Sequence, residues 1–403
     1  MNILANHCQL LYNLIQCAIH PPIMKRELEH MSEMHYFFKP AGVALIGASS
    51  NPNKLGYGIL KNMTAYGFSG AVYPVNPGAK EILGLPCYAD ISFVPDPVEL
   101  AVVVVQASQV PDTLISCGKR GIKAVTIISG GFKEVGEEGA RLEKLCLKIA
   151  HQYNMRLIGP NCVGTIDLYS GLNTTFIRGI PERGHIGFIS QSGAVCGSVV
   201  DYVADKGIGF SYFVSLGNEA DVNETDLISF LADDPDTHVI SAYLEAITDG
   251  KRFLETVKEV TKKKPVVILK AGHSDAGARA VSSHTGSLAG TYTAYLAAFK
   301  QAGVIIADTS QELFNISNAF ANQPLPSGSR VAVITNAGGP AALASDSLSE
   351  NGCRLADLLP ETREELRKHV NPSAQVNNPI DMLGGATPAE YGLATALCMQ
   401  DPN

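Results

Sequence analysis

Short apolar runs alternate with helical patterns along this chain from Phe37 onward. The runs are rich in valine and isoleucine and lack polar alternation, which is typical of parallel strands that are buried on both faces. In the first part of the chain they lie at 43–47, 71–75, 100–105, 124–129 and 156–158. Helical patterns near 56–66, 108–120 and 136–153 separate them. This alternation predicts a doubly wound α/β domain.

The same alternation begins again further along the chain. Strand patterns at 185–190, 210–215, 238–244, 265–270 and 304–306 predict a second α/β domain, flavodoxin-like in its pattern. Proline, glycine and serine at 322–329 predict a linker. A third unit begins with a strand at 330–335, followed by Asn336-Ala-Gly-Gly-Pro340 and a helix. About 75 residues are few for another doubly wound domain, so we expect this unit to be truncated or completed by a partner.

The expected domains are therefore 37–160, 161–322 and 323–403, preceded by an extension at 1–36. The extension has a weak amphipathic stretch that is broken at Pro21-Pro22, and it has no arginine before Arg26. Neither a secretory nor a mitochondrial presequence fits this pattern. We expect residues 1–36 to be disordered.

Charge and cysteine content argue against several classes of partner. The formal net charge is −8, from 31 basic and 39 acidic residues, so a nucleic-acid partner is not expected. The 9 cysteines are scattered and form no CxxC pair, so we expect no metal site and a reducing compartment, the cytoplasm. No apolar run reaches the length that spans a membrane, so no membrane association is expected.

Three loops that follow predicted strands of the first domain carry small or basic residues. Their candidate ligand-binding residues are Gly47, Ser49, Ser50, Asn76, Lys80, Ser129, Gly130 and Gly131. Parallel strands end at one edge of a sheet, where helix amino ends attract phosphate, so the loops predict one shared crevice. The first loop is not GxGxxG, and strand two ends at Asn76 rather than at an acid that would hold the ribose of NAD. We expect a nucleotide-like ligand other than a nicotinamide cofactor; the alternative is a plain turn.

The second domain has two further candidate phosphate sites. Ser190-Gln191-Ser192-Gly193 joins a strand to a helix, and His284, with Gly286 and Ser287, precedes a helical pattern at 288–299. A histidine in such a loop could carry a phosphoryl group as a covalent intermediate; the alternative is a histidine that caps or packs. Glu245 follows a buried strand and could orient this histidine, or it could be an ordinary solvent-facing strand end.

In their chain order these motifs resemble the α part of the NDP-forming acyl-CoA synthetases. This family includes ADP-forming acetate–CoA ligase and is related to the succinyl-CoA synthetases. The matching stretches are Phe37-Phe-Lys-Pro40, Val43-Ala-Leu-Ile-Gly-Ala-Ser49, Val75-Asn-Pro77, Ser129-Gly-Gly-Phe-Lys-Glu-Val-Gly136, Gly159-Pro-Asn-Cys162, Ser190-Gln-Ser-Gly193, Leu216-Gly-Asn-Glu219, Tyr243-Leu-Glu245 and Ser283-His-Thr-Gly-Ser-Leu-Ala-Gly290.

The resemblance implies a Rossmann-like domain that binds coenzyme A, followed by a flavodoxin-like domain of the succinyl-CoA-synthetase type. It implies that His284 is the phosphorylated histidine and that Glu245 stabilises it. Phosphate would lie between the helix amino ends at 190–193 and at 286–287. The segment from residue 330 to 385 resembles the third α domain of the family, of which the end is missing.

The resemblance also implies chemistry and partners. Acyl-CoA, ADP and phosphate would be converted reversibly to the acid, CoA and ATP through an acyl phosphate and a phosphohistidine. No ATP-grasp segment is found, so ADP or ATP and Mg²⁺ would bind a β subunit or a fused domain, and the chain would form a hetero-oligomer. The alternatives are a non-catalytic CoA-binding module and a regulatory module as in fusions with a protein acetyltransferase. The presence of His284 favours catalysis over the regulatory module, and a plain CoA-binding module would leave the second domain unexplained.

Overall fold

A computed structural model describes residues 33–279 and 291–403 of the chain. His284, Gly286, Ser287 and the beginning of the predicted helix at 288–299 lie outside these residues. The chain divides into two compact units between Gln323 and Pro324. The first unit contains two parallel sheets and includes both of the first two predicted domains.

The first sheet has five parallel strands in the order β2-β1-β5-β6-β7. Strands β3 and β4 form a separate small hairpin. The strands are β1 (Gly42–Ile46), β2 (Ala71–Val75), β3 (Glu81–Ile82), β4 (Leu85–Pro86), β5 (Leu100–Val103), β6 (Ala124–Ile127) and β7 (Arg156–Ile158), and the helices are α1 (Leu55–Ala65), α2 (Val110–Arg120) and α3 (Glu137–Gln152). The winding reverses between β1 and β5, and a crevice at such a point is where this class of sheet binds ligands.

The second sheet has seven strands in the order β14-β13-β12-β10-β11-β8-β9. The strands are β8 (Thr165–Asp167), β9 (Leu172–Asn173), β10 (Glu182–Ser190), β11 (Gly209–Ser215), β12 (Val239–Leu244), β13 (Val266–Lys270) and β14 (Ile305–Ala307). The helices are α4 (Gly193–Val203), α5 (Glu224–Ala232), α6 (Gly250–Val260), α7 (Tyr292–Ala302) and α8 (Ser310–Asn322). The five strands from β10 to β14 are parallel and have the flavodoxin order, which confirms the predicted fold class.

Two strands of this sheet were not predicted. The first, β8, pairs antiparallel with β11, and the second, β9, pairs antiparallel with β8. They are only 3 and 2 residues long, too short to show a hydrophobic period. They extend the edge of the second sheet, and the segment that follows β9 packs against α1 (the side-chain amide of Asn62 donates to the carbonyls of Thr175 and Ile177 at 2.7 and 3.0 Å).

The boundary predicted for the amino-terminal extension is wrong by at least four residues. Residues 33–38 are helical, and Met34 is buried although it was expected to be disordered. The ring of Phe38 stacks on Phe230 at 5.2 Å and meets Tyr212 edge-on at 5.0 Å. This apolar contact with β11 and α5 holds the segment in place.

The second unit has four short strands and three helices. The strands are β15 (Arg330–Val331), β16 (Ile334–Thr335), β17 (Arg354–Leu355) and β18 (Ile380–Asp381), and the helices are α9 (Gly338–Glu350), α10 (Pro360–His369) and α11 (Pro388–Gln400). The predicted strand at 330–335 is thus split in two, because the side chain of Asn378 accepts from the Val333 amide at 2.9 Å and donates to the Val331 carbonyl at 2.7 Å. The Asn378 side chain thus forms hydrogen bonds with the backbone of this segment that are of the kind a neighbouring strand would form.

Residues 33–279 and 291–403 lack two kinds of feature. No helix in these ranges has the length and apolar content needed to cross a membrane. No group of three or more histidine, cysteine, aspartate or glutamate side chains in these ranges is arranged to hold a metal ion.

Candidate active site

A cavity of about 520 Å³ lies within the first unit, where the carboxyl ends of the two sheets approach each other. Loops that follow β6 and β7 of the first sheet and β10, β11 and β12 of the second sheet form its walls. Its lining residues include Ile128, Gly130, Lys133, Asn161, Cys162, Val163, Phe176, Gln191, Ser192, Gly193, Ala194, Asn218, Glu219, Glu245 and Ala246. Two carboxyl edges thus contribute to one site, which suits a ligand with more than one functional group.

The amino end of α4 faces this cavity. Ser192 caps the helix, because its hydroxyl accepts from the Val195 amide at 3.4 Å. Gly193 and Ala194 belong to the first turn, where backbone N–H groups have no acceptor within the helix, and both residues line the cavity. A Cβ on Gly193 would lie only 2.6 Å from the Val163 side chain, so glycine allows the close approach. The helix end therefore provides donors and a partial positive charge for an anion.

Glu245 lies directly after β12 and lines the same cavity. Only 6% of its surface is exposed, so the alternative of a solvent-facing strand end is wrong. Its backbone is held from both sides: its amide donates to Oε1 of Gln191 at 2.5 Å, and its carbonyl accepts from Nζ of Lys270 at 2.8 Å. A carboxylate on such a well-held backbone, in the same cavity as a helix amino end, is suited to orient an imidazole or another N–H group.

Lys270, at the end of β13, was missed in the sequence. It is only 4% exposed, and its Nζ also donates to the Ala271 carbonyl at 2.6 Å and lies 4.4 Å from the ring centre of Tyr295. Burial lowers the pKa of Lys270 to about 8, against the attraction of Glu245. A lysine that ends an apolar strand was the only available signal, and such a pattern is also typical of a solvated strand end.

Two of the predicted phosphate contacts have other roles in the structure. Ser190 is fully buried and does not line the cavity; its hydroxyl donates to the Ser192 carbonyl at 2.9 Å and accepts from the Ser192 amide at 3.1 Å. Gln191 donates from Nε2 to Glu219 and to the Ala246 carbonyl, both at 2.8 Å, and its own amide donates to the Tyr243 carbonyl at 3.2 Å. All three N–H groups of Gln191 are therefore taken, and its role is to position the end of β12.

The predicted CoA-binding residues of the first two loops lie at the carboxyl ends of β1 and β2. Gly47 has a φ of +95°, and a Cβ there would lie 2.7 Å from the Val104 carbonyl, so the turn requires glycine. Asn76 joins the two loops, because Nδ2 donates to the Ala48 carbonyl at 2.7 Å and Oδ1 accepts from the Gly78 amide at 2.7 Å.

The side chains around this turn differ in exposure. Ser49 is buried and accepts from the Asn51 amide at 3.1 Å, whereas Ser50 and Lys80 are exposed. These contacts leave Lys80 and Ser50 accessible to a ligand and make Ser49 and Asn76 parts of the loop framework.

The third predicted loop follows β6. Ser129 donates from its hydroxyl to the Val105 carbonyl, which ties the ends of neighbouring strands together. Gly131 has a φ of +104°, and its amide donates to Oε1 of Glu134 at 2.5 Å. Gly130 lines the cavity, which connects the predicted CoA-binding crevice with the site at Glu245.

A polar network beneath this loop was not predicted. Nδ2 of Asn218 donates to Glu134 at 2.6 Å and to Glu143 at 2.8 Å, while Nζ of Lys133 donates to the Asn218 carbonyl. Hydrogen bonds from Asn218 and the loop amides lower the pKa of Glu134 against its burial, whereas burial raises the pKa of Glu143. The motifs at 159–162 and 216–219 contributed to the resemblance, but only the tertiary structure shows that their side chains meet.

Models of three protein families match the chain. The CoA binding domain matches residues 42–167, the succinyl-CoA ligase-like flavodoxin domain matches residues 183–320, and the Ligase-CoA domain matches residues 331–403. These spans cover most of both structural units.

Relatives with assigned names are similar over nearly the whole described chain. The sequence is 49% identical over 370 residues to the acetate–CoA ligase [ADP-forming] II subunit alpha of Pyrococcus furiosus, covering 92% of this chain and 80% of that subunit. It is 43% identical to the acetate–CoA ligase [ADP-forming] I of Archaeoglobus fulgidus, covering 92% of this chain. The chain spans only 53% of that second relative, so it corresponds to about half of the longer protein.

Solved structures give the same result. PH0766 from Pyrococcus horikoshii OT3 has a TM-score of 0.84 and 45% identity, covering 92% of this chain and 80% of that chain. The dinucleotide forming acetyl-coenzyme A synthetase 1 of Ca. Korarchaeum cryptofilum, in complex with phosphate and ADP, has a TM-score of 0.87 and 40% identity, with the same coverage. The fold is therefore that of a CoA ligase of the succinyl-CoA-synthetase type. Within this class, the chain belongs to the NDP-forming acyl-CoA synthetase family, as its similarity to α subunits of ADP-forming acetate–CoA ligase shows.

Proposed function

We propose that this chain is the α part of an ADP-forming acyl-CoA synthetase. It would convert acyl-CoA, ADP and phosphate reversibly to the acid, CoA and ATP. The observation that carries the proposal is the cavity itself, because the buried Glu245 and the amino end of α4 face one space between the carboxyl ends of both sheets. A regulatory or purely CoA-binding module would not need this second half of the site.

The first step would take place at the amino end of α4. Phosphate held by the amides of Gly193 and Ala194 attacks the carbonyl carbon of the acyl-CoA thioester. The C–S bond breaks, an acyl phosphate forms, and CoA leaves as a thiolate that takes up a proton. Backbone donors fixed before the reaction stabilise the charge on phosphate and on the developing oxyanion without further reorganisation.

In the second step His284 would act as the nucleophile. A ring nitrogen attacks the phosphorus of the acyl phosphate, the bond between phosphorus and the carboxyl oxygen breaks, and the acid leaves as a carboxylate. The carboxylate of Glu245 would accept a hydrogen bond from the other ring nitrogen and so fix the tautomer and stabilise the positive ring. The phosphohistidine then transfers its phosphoryl group to ADP.

We further propose that ADP and Mg²⁺ bind an ATP-grasp module on a partner subunit or on a fused segment. Relatives of this chain include subunits named alpha and longer proteins of which the chain spans about half. A separate subunit in the first case, or the rest of the longer protein in the second, could contain the nucleotide-binding module. Coenzyme A would bind the crevice at Gly47, Asn76 and Gly130. Location in the cytoplasm stays a prediction.

Phosphorylation tests the role of His284. We expect the chain, assembled with its nucleotide-binding partner, to take up label from ATP as an acid-labile, base-stable phosphoramidate. His284→Ala should abolish both the label and turnover, because the acyl phosphate then has no acceptor. His273→Ala is the control, since His273 is an exposed histidine of the described chain and should keep both. An acid-stable label that persists in His284→Ala would exclude the phosphohistidine mechanism.

A further inference from the structure

Glu219, in the loop after β11, lines the same cavity as Glu245. Its backbone has a φ of +53°, a left-handed conformation that is uncommon for a residue with a side chain. One carboxyl oxygen, Oε2, accepts from Nε2 of Gln191 at 2.8 Å. The other, Oε1, is shielded from solvent, and no donor within the described parts of the chain faces it. A buried oxygen without a donor is costly, so its surroundings need an explanation.

The carboxyl group of Glu224, at the first position of α5, provides that explanation. Glu224 is buried, and its Oε1 accepts from the Thr225 hydroxyl at 3.0 Å. The side chains of Glu219 and Glu224 are within hydrogen-bonding reach of each other. Two ionised carboxylates in such a place repel each other and lack a donor between them, whereas one shared proton removes both costs.

The proton is expected on Glu219 rather than on Glu224. Burial, with a further contribution from the neighbouring Glu224, raises the pKa of Glu219 well above its ordinary value. Burial also raises the pKa of Glu224, but hydrogen bonds from its own backbone, from Thr225 and from Glu219 act in the opposite direction.

The charged groups nearby do not move the proton from Glu219 to Glu224. Lys133 is the cation that faces Glu219, and it is engaged with the Asn218 carbonyl and with Glu143 at 3.9 Å. Asp226 adds negative charge near Glu224, although Arg252 pairs with it at 2.5 Å. On the other side of Gln191 lies Glu245, a further acid.

We propose that Glu219 is a positioning residue that works as a neutral acid: its Oε1–H group donates to Glu224 and its Oε2 accepts from Gln191. The Gln191 amide is thereby held in one orientation, in which its Oε1 accepts from the backbone amides of Glu245 at 2.5 Å and Ala246 at 3.0 Å. A chain of hydrogen bonds thus leads from α5 to the backbone of the acid that we assign to the phosphohistidine step. The neutral state also keeps one negative charge off the wall of a cavity that would receive phosphate. The inference about catalysis rests on the proposed function, whereas the inference about the proton does not.

Substitution by glutamine tests the neutral acid directly. The side chain of Glu219→Gln has one donor and one acceptor group, as a protonated glutamate has, so we expect near-wild-type turnover at neutral pH. Glu219→Ala leaves Gln191 and Glu224 without their partner, so we expect a loss of about tenfold in kcat, the size of one buried hydrogen bond. If Glu219→Gln loses as much as Glu219→Ala, the working form is the carboxylate and the proposal is wrong.

The pH dependence separates this role from simple packing. In the wild-type enzyme, the KM for phosphate should rise at alkaline pH as Glu219 ionises, because a second negative charge then faces the anion. In Glu219→Gln this rise should be reduced. A KM for phosphate that rises already between pH 5 and 7 in the wild-type enzyme, but not in Glu219→Gln, would show that Glu219 ionises in its ordinary range and would contradict the proposal.

Infrared difference spectroscopy tests the proton without any turnover. The wild-type chain should show the carbonyl band of a protonated carboxylic acid at neutral pH, and Glu219→Gln should lack this component. In Glu224→Gln an amide that can donate replaces the neighbouring carboxylate, which favours the ionised form of Glu219. As the pH is raised, the band should therefore disappear at a lower pH in Glu224→Gln than in the wild-type chain. Absence of the band in the wild-type chain would overturn the proposal. A band without any ATP synthesis by the assembled enzyme would instead refute the proposed function and leave the neutral acid established.

Discussion

Lys270 holds a charged group in a place where water cannot reach it easily. Its Nζ donates to the carbonyls of Glu245 and Ala271, and these two contacts join the ends of β12 and β13 beneath the cavity. Burial lowers the pKa of Lys270 to about 8, whereas a lysine in an unfolded chain has a pKa of about 10.4. The folded state therefore releases this proton at a lower pH than the unfolded state does.

The difference in pKa predicts how stability depends on pH. Below pH 8 the folded protein must keep a charged lysine in a poorly solvated place, so the full cost is present there. As the pH rises from 8 towards about 10.4, the unfolded chain binds more protons than the folded one, and the cost disappears. The free energy of unfolding of the wild-type protein should therefore rise with pH relative to that of Lys270→Met.

Urea denaturation at a series of pH values between 7 and 10 measures this difference. Lys263→Met serves as the control, because the Lys263 side chain is 58% exposed and pairs with Asp233 at the surface. Its difference from the wild-type protein should change little with pH. A wild-type advantage over Lys270→Met that falls with rising pH would show that the buried amine has the opposite linkage.

Among the elements, α1 approaches β1 more closely than a side chain would allow. A Cβ on Gly56 would lie 2.1 Å from the Gly47 carbonyl, so the first turn of the helix rests on the loop predicted to bind CoA. Gly58, one half-turn further along, has space for a side chain, since a Cβ there would meet only the Phe176 Cβ at 4.0 Å. Close packing thus requires glycine at position 56, whereas position 58 has space for a larger residue.

These two positions give a matched pair of substitutions. Gly56→Ala should destabilise the protein by ~1–3 kcal/mol and weaken CoA binding, because the helix must move away from the loop. Gly58→Ala should be neutral or stabilising by up to ~1 kcal/mol, since alanine favours the helix. Thermal unfolding and calorimetric titration with CoA measure both effects. Equal losses at the two positions would mean that helix propensity, and not the contact with Gly47, decides the result.

Element by element, the sequence predicted the long buried strands well. The strands at 71–75 and 156–158 were predicted with the observed bounds, and the other parallel strands of the first unit differ by a few residues at their ends. Apolar runs set these strands because both faces of a parallel sheet must be covered. The strands that were missed or divided are those in which other contacts decide. Examples are β8 and β9 at the sheet edge, and the strand predicted at 330–335, which the Asn378 side chain divides.

Across the first unit, a buried ion pair joins the two sheets. Asp221 precedes α5, and its Oδ2 accepts from Nε of Arg156 at 2.9 Å and from the Leu157 amide at 2.8 Å, both in β7. The side chains of Arg156 and Asp221 are each only 11% exposed. One carboxylate thus satisfies a side-chain donor and a strand amide of the other sheet.

Removal of Asp221 should therefore be costly for the whole unit. We expect Asp221→Ala to lower the free energy of unfolding by ~2–3 kcal/mol, because it removes one buried partner of Arg156 and leaves the Leu157 amide without its acceptor. Arg156 keeps its pairs with Glu33 at 3.5 Å and Asp226 at 3.6 Å, so its charge is not left without compensation. Asp233→Ala breaks the exposed pair with Lys263, at 2.8 Å and 50–58% side-chain exposure, and should cost under about 1 kcal/mol. Chemical denaturation of the two variants measures the contrast, and similar losses would show that the link between the sheets contributes little.

The sequence by itself determined the succession of the long buried strands and of the helices between them, the two α/β domains of the first unit and the family. It did so because the hydrophobic period and the small residues of the loops are local properties of the chain. Gly47, Gly193 and Glu245 could be selected in this way, since each follows a strand or begins a helix at a position that the pattern defines.

The environment of each side chain was decided only by the tertiary structure. Gln191 was expected to contact phosphate, but its N–H groups donate hydrogen bonds to Glu219, Ala246 and Tyr243, residues that are distant in sequence. Lys270, Asn218 and the acid pair of Glu219 and Glu224 gained their roles in the same way. Burial and the neighbouring charges set a protonation state, and both arise where separate strands end together, so no local pattern of residues can contain them.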